Sequence, residues 1–306
     1  MADYQKIVRL RPEVREFIRN RRWVHRGEAI AYGPNIGCDA FSTDGLGYRH
    51  NVFKGETLST ADVLRRERFG LILGPSNVYG FGCAGNENTM PSLLAEKFGF
   101  PFANIGLPEG NSRNLFSILL NILMRNAAKP SVVVHVSGGD YTSFCYTGLA
   151  DPVFGPPNLK QIDTALQERG GRPKDSDAQM RNLLRFSTLW TNAMIDLARA
   201  RGVPFSLADD STFFEKAEPS ELERKCKLGE PSSPAQTIQF ETHKKHVETF
   251  WKTRRTLADK RGVPIAGPGH VNTLGFVDEF HYDNEGTRSL VDDFAPGVEE
   301  ALSKAK

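Results

Sequence analysis

Ser131-Val-Val-Val-His-Val136 is β-branched almost throughout and reads as the strongest strand of the chain. Upstream, Phe69-Gly-Leu-Ile-Leu73 is a shorter apolar run stopped by Gly74-Pro75, and Phe100-Pro-Phe-Ala-Asn-Ile105 is a weaker one. Between these two, Thr89 can cap a helix from Pro91 to about Gly99, with Pro at its front and Gly behind. Asn111 or Ser112 can cap a second helix that runs to about Ala128. Downstream, one phrase occurs twice. Leu183 to Arg201 has a helical pattern followed by Gly-Val-Pro-Phe-Ser-Leu207, and His243 to Arg261 has one followed by Gly-Val-Pro-Ile-Ala266. In each, a basic helix end, a Gly stop and a short apolar strand follow in order. A last helix is expected from about Gly286 to Lys304.

Strands that alternate with helices in this way predict an α/β fold: a three-layer α/β/α sandwich around a mostly parallel sheet of about five strands. Residues 69–306 would form this main domain. Residues 1–68 form an N-terminal extension, and Trp23, Tyr32 and Phe41 give it apolar surface with which to dock. The segment Asp140 to Ser176, with Gly155-Pro-Pro157 and Gly170-Gly171, reads as a loop-rich insertion. Together with Glu215 to Pro234 it is a candidate for a lid, a substrate wall or a contact in a homo-oligomer.

The chain has 306 residues, a formal charge of +2, 39% apolar and 25% charged residues, so it has the composition of a globular protein. Arg9, Arg11, Arg15, Arg19, Arg21, Arg22 and Arg26 crowd the start, but Glu13, Glu16 and Glu28 interleave with them, which suits a solvated helix face better than a nucleic-acid arm. Cys38, Cys83, Cys145 and Cys226 form no CxxC pair, so neither a zinc site nor a disulfide framework is expected. No apolar leader and no bilayer-length segment is visible, and a cytoplasmic location away from any membrane is the expectation. His243 and His246 stand at i, i+3, but their His-Lys-Lys-His context reads as a solvated helix face rather than a metal site. Gly80-Phe-Gly-Cys-Ala-Gly85 matches GxGxxG by its letters. However, Gly74 has already ended the strand and no helix opens directly after the motif, which argues against a dinucleotide site. No cofactor is expected.

In parallel α/β sheets the chemistry lies at the carboxyl ends of the strands. After the first strand comes Gly74-Pro-Ser-Asn-Val-Tyr-Gly80, where Ser76 on a tight strand-to-helix turn could present its hydroxyl near free backbone N–H groups. After the second comes Asn104-Ile-Gly-Leu-Pro-Glu-Gly110-Asn-Ser, and after the third Ser137-Gly-Gly-Asp140. Near the end stands Phe276-Val-Asp278-Glu-Phe-His281, in which an Asp three residues before a His can orient the imidazole.

In this order the blocks resemble the SGNH (GDSL-type) hydrolase family, from about Phe69 to the C-terminus, whose fold is flavodoxin-like. The resemblance implies Ser76 as nucleophile, with Gly80 in the expected place, and Asp278 and His281 as the rest of a triad. Gly110 falls at the second block's oxyanion glycine, with one extra residue in the loop. Asp44-Gly-Leu-Gly-Tyr-Arg49 resembles a lead-in found before some members' catalytic domains. Two positions depart from the family: Pro75 stands for the Asp of GDS, and Gly139 for the side-chain donor Asn of GxND. Asn77 and Asn111 are candidates to replace that donor beside the Ser76 and Gly110 N–H groups. The implied activity is a serine esterase that removes acyl groups from a small-molecule or carbohydrate ester through an acyl-enzyme. An acyltransferase with the same triad, or a weakened relative that only binds such a ligand, are the alternatives.

Overall fold

The structure is a computed structural model that describes residues 4–26, 29–126, 128–137, 139–147, 176–230, 234–267, 269 and 271–304. The chain starts with two helices, α1 (Tyr4–Leu10) and α2 (Pro12–Asn20), and two antiparallel pairs, β1 (Trp23–Arg26) with β2 (Ala29–Tyr32) and β3 (Asn51–Phe53) with β4 (Glu56–Leu58). Helix α3 (Thr60–Leu64) follows, opened by a capping box in which Ser59 and Asp62 satisfy each other's backbone N–H groups. Then come β5 (Gly70–Gly74), α4 (Ser76–Tyr79), α5 (Met90–Phe98), β6 (Phe102–Gly106), α6 (Ser112–Arg125), β7 (Val132–Val136) and α7 (Gly139–Thr147). The remainder is α8 (Ser176–Ala200), β8 (Phe205–Ala208), α9 (Glu221–Lys225), α10 (Pro234–Arg261), β9 (Ile265–Ala266) and α11 (Asn284–Ser303).

Strands β5 to β9 form one parallel sheet in the order β6-β5-β7-β8-β9. The first strand of the unit therefore has the second on one side and the third on the other, which is the flavodoxin-type order. The crevice between the carboxyl ends of β5 and β7 is its topological switch point. Period-2 alternation sends Ile72, Phe102, Val132, Val134 and Val136 to one face, where they pack with Leu93 and Leu94 of α5 and with Leu290, Val291, Phe294 and Val298 of α11. Leu71, Leu73, Ala103, Ile105 and Val133 go to the other face, against Leu115, Leu119 and Leu123 of α6 and Met194, Ile195 and Ala198 of α8. Burying each of the larger side chains contributes about 1.5–3 kcal/mol, and this two-sided burial explains why the strands read as near-continuous apolar runs.

Several expectations need correction. Helix α7 occupies the start of the expected insertion, while residues 148–175, with both Gly-rich turns, lie outside the described residues. The loop from Glu215 contains the short helix α9, and residues 231–233 also lie outside the described set. Helix α11 begins before Gly286 because the Asp283 side chain accepts from the Gly286 N–H and so serves as the N-cap. Arg11 is not on a solvated face: it is buried, bonded to the Phe276 carbonyl at 3.0 Å and ion-paired with Asp283 at 3.3 Å. His243 and His246 are likewise buried, because they share a helical face with Val247, Phe250 and Trp251 and pack toward Tyr141 and Phe144. Among the described residues no group of three or more His, Cys, Asp or Glu could hold a metal ion, and no helix is long and apolar enough to cross a membrane.

The first 68 residues contribute to the same core. Ile7 and Val14 join the cluster beneath α5 and α11, Tyr32 stacks on Tyr79 of α4, and Phe17 and Phe41, stacked on each other, meet Tyr79 edge-on. Arg49 is fully buried and its acceptors are neutral: the carbonyls of Ala40, Gly80, Cys83 and Gly85 and the side-chain oxygen of Asn86. Phe17 and Phe41 face its guanidinium at 5.2 and 5.9 Å. The glycine-rich loop 80–85 therefore turns its carbonyls inward onto a cation, the reverse of a phosphate cradle.

His135 is buried on β7, and neither ring nitrogen has a hydrogen-bond partner among the described residues. Burial, and secondarily the Arg254 charge, hold its pKa well below the ordinary histidine value. The unfolded chain takes up a proton there below about pH 6.5 and the folded protein does not, so its contribution to stability is lost as pH falls through that value. Asp210, which burial pushes up to about 7, acts in the opposite sense, so a variant must be compared with wild type. Thermal melts of His135→Leu and wild type at pH 7.5 and 5.0 are expected to show the variant losing less on acidification, by about 2 kcal/mol. Equal losses would contradict this account of His135.

Candidate active site

Strand β5 ends at Gly74, Pro75 holds an extended backbone, and Ser76 opens the single turn α4, which Gly80 closes at φ 92°. A Cβ on Gly106 would lie 2.1 Å from the Tyr79 amide nitrogen, so that glycine lets β6 approach the back of α4. Ser76 thus stands at the carboxyl end of β5, at the switch point.

From the other end of the chain, Phe276 and Tyr282 pair across a tight loop that the Val277 N–H closes onto the His281 carbonyl at 2.8 Å. This loop places His281 Nε2 2.6 Å from Ser76 Oγ and His281 Nδ1 2.8 Å from both carboxylate oxygens of Asp278. Asp278 Oδ1 also accepts from the Phe280 and His281 amides, each at 2.9 Å. Burial works to raise this carboxyl. The His281 ring and these hydrogen bonds outweigh it, and Asp278 lies below the usual aspartate range. An ionised acceptor at Nδ1 requires the proton to sit there, which leaves the Nε2 lone pair facing the serine hydroxyl. Phe81, half-buried, lies 4.5 Å from the imidazole between ring centroids and walls its other side. Such an arrangement can take the proton of a hydroxyl as it attacks an electrophile.

The expected oxyanion groups are placed differently. The Ser76 N–H opens α4 with no intrachain acceptor among the described residues, as the N-terminus of a helical turn dictates. The Gly110 N–H donates to the Leu107 carbonyl at 2.9 Å, closing a turn in which Glu109 is left-handed, φ 57°. The Asn77 side chain donates to Asp210 Oδ2 at 2.8 Å, and the Asn111 side chain accepts from Asn114 N–H as the cap of α6. Gly139 has no room for a side chain: a Cβ there would lie 2.1 Å from the Gly110 carbonyl oxygen. Asp140 reaches across to the Ser112 N–H (2.8 Å) and hydroxyl (2.5 Å), which ties the end of β7 to the start of α6.

Sequence reasoning places none of Asp210, Tyr282, Phe81 and Arg49 at the site. Each meets the site through contacts between distant segments, and the one local signal was Asp209-Asp210 standing directly after a strand.

No family model matches the chain, and no curated protein matches it. Solved structures do align with it. A carbohydrate acetylesterase family member from Sinorhizobium meliloti shares 15% identity at a TM-score of 0.48, covering 77% of this chain and 99% of that one. The M. smegmatis aryl esterase shares 13% at 0.46, covering 76% and 99%. An extracellular lipase from Streptomyces rimosus shares 12% at 0.48, covering 76% and 99%. The chain is similar to these proteins in outline. With identities and TM-scores this low, the fold rests on the sheet order and the chemistry on the distances around Ser76.

Gly139→Asn, which would place a side-chain amide at the start of α7, is expected to cost about 3 kcal/mol or more through the clash with Gly110. Thermal denaturation and ester turnover check this: a large drop in melting temperature with no gain in rate is expected, whereas a stable, faster variant would contradict the packing described.

Proposed function

We propose that the protein is a serine esterase that deacylates a small-molecule or carbohydrate ester. The observation that carries this reading is the continuous chain from the Ser76 hydroxyl through His281 to the buried Asp278, with distances of 2.6 and 2.8 Å. Ser76 Oγ attacks the ester carbonyl as His281 Nε2 takes its proton, and the Ser76 N–H receives the negative charge that develops on the carbonyl oxygen. The tetrahedral intermediate collapses as Nε2 returns the proton to the leaving alcohol, leaving the acyl group on Ser76. Water then attacks the acyl carbonyl, Nε2 takes its proton and gives it back to Ser76 Oγ, and the carboxylic acid departs. Asp278 stabilises the imidazolium formed in each half-reaction and fixes the reactive tautomer.

Gly139 bears on rate rather than mechanism. One oxyanion donor is commonly worth about a hundredfold or more, so turnover well below that of an enzyme with a full donor set fits the geometry. The acetyl ester of 4-nitrophenol, together with a serine-directed organophosphonate, tests the reading. Ser76→Ala and His281→Ala are expected to abolish labelling and lower kcat by about 10⁴-fold or more. Asp278→Asn is expected to retain slow turnover, down by about 10³–10⁴-fold. Labelling at another residue, or undiminished turnover in Ser76→Ala, would overturn the assignment.

A further inference from the structure

We propose that Asp210 and Tyr282 are positioning residues, which act through the segment after β8 to hold the neighbour of Ser76 in register with the neighbour of His281. This rests on the reading of Ser76 and His281 as nucleophile and base. The two are 205 positions apart in sequence and arrive from opposite ends of the main domain, so something must set the length of the bond between them. The segment Asp209–Phe213 leaves the carboxyl end of β8 and makes a different attachment at almost every residue. Asp209 is anchored behind the site, its N–H to the Ala266 carbonyl of β9 at 2.8 Å and its carboxylate accepting from Arg254 Nε of α10 at 2.8 Å. Asp210 Oδ2 accepts from Asn77 Nδ2 at 2.8 Å, and Asn77 is the residue after Ser76 in the one-turn helix α4. The Ser211 N–H donates to the Tyr282 hydroxyl at 2.8 Å, and that hydroxyl donates back to the Ser211 carbonyl at 2.5 Å. Tyr282 is the residue after His281. The Phe213 N–H donates to the Glu279 carbonyl, inside the Asp278–His281 loop, at 2.9 Å.

These are side chains taken out of water, Asp210 at 3% exposure and Tyr282 at 1%, so the hydrogen bonds are unscreened and costly to leave unmade. Neither residue touches the serine hydroxyl or the imidazole edge that faces it in any hydrogen bond of the structure. Each fixes the backbone next to a reacting residue. A four-residue helix has too few internal bonds to fix its own orientation, and the Asn77–Asp210 bond supplies an external one. On the other side, the two bonds to the Tyr282 hydroxyl hold the closing strand of the DxxH loop. A displacement of about 1 Å between nucleophile and base can cost about a hundredfold in rate, so this bracket would be read in kcat and not in substrate affinity.

The test uses Asp210→Ala, Asp210→Asn, Tyr282→Phe and the Asp210→Ala/Tyr282→Phe double variant of the full chain. Circular dichroism checks folding, and turnover of 4-nitrophenyl acetate is followed with the rate of organophosphonate labelling at Ser76. Asp210→Ala and Tyr282→Phe are expected to lower kcat and the labelling rate by about tenfold or more, with KM within about twofold of wild type. Asp210→Asn, whose amide oxygen can still accept from Asn77, should recover most of the rate. The double variant should lose less than the product of the single losses, because both bonds secure one segment. Unchanged kcat in folded Tyr282→Phe and Asp210→Ala overturns the proposal, as does an Asp210→Asn variant as slow as Asp210→Ala. Wild-type protein that neither turns over nor labels defeats the esterase reading instead. In that case a crystal structure of Tyr282→Phe decides the bracket by itself: a Ser76–His281 bond kept at its wild-type length overturns it, and a lengthened or broken one supports it.

Discussion

Asp278 is a carboxylate held almost entirely out of water, an arrangement that persists only because donors surround it. The Phe280 and His281 amides and the His281 ring all point at it, and the charge they stabilise is what fixes the ring. Removing any of these donors leaves a buried charge less compensated, at a cost well above that of a surface hydrogen bond. The DxxH loop is therefore a folded unit before it is a chemical one. Its geometry follows from satisfying one carboxylate, and the orientation of Nε2 toward Ser76 is a consequence.

The sheet order decides where that loop can be useful. With β6 and β7 on opposite sides of β5, the turns after β5 and β7 diverge and leave a crevice at their carboxyl ends. Ser76 sits at one lip and Gly139 at the other. Gly139 packs so closely on the Gly110 carbonyl that any side chain there is excluded by space. Packing behind the crevice is tight throughout: Gly106 lets β6 approach α4, and Arg49 holds the 80–85 loop that carries Phe81 against His281.

What was legible in the sequence was what is local. Ser131–Val136 and its neighbours announce buried parallel strands by composition, and the twice-used Gly-Val-Pro phrase marks β8 and β9, which the structure pairs. Ser76, Asp278 and His281 were legible because each belongs to a short motif placed after a strand. The remainder depends on contacts that no window of sequence contains. Arg49 is legible only as the end of the Asp44–Arg49 lead-in, and its five acceptors come from segments up to 37 residues away. His243-Lys-Lys-His246 looks solvated because of its two lysines, whereas both histidines lie on the buried face toward Tyr141 and Phe144. The Gly110 N–H was expected at the oxyanion site, but the turn containing the left-handed Glu109 directs it to the Leu107 carbonyl.

The most direct measurement of the central claim is peptide mapping by mass spectrometry of enzyme quenched in acid during turnover of an aryl acetate. A transient acetyl group on the peptide containing Ser76, formed and lost at rates that match turnover, is the predicted result. Turnover that continues with no acetyl on that peptide, or with the acetyl on another residue, would contradict it.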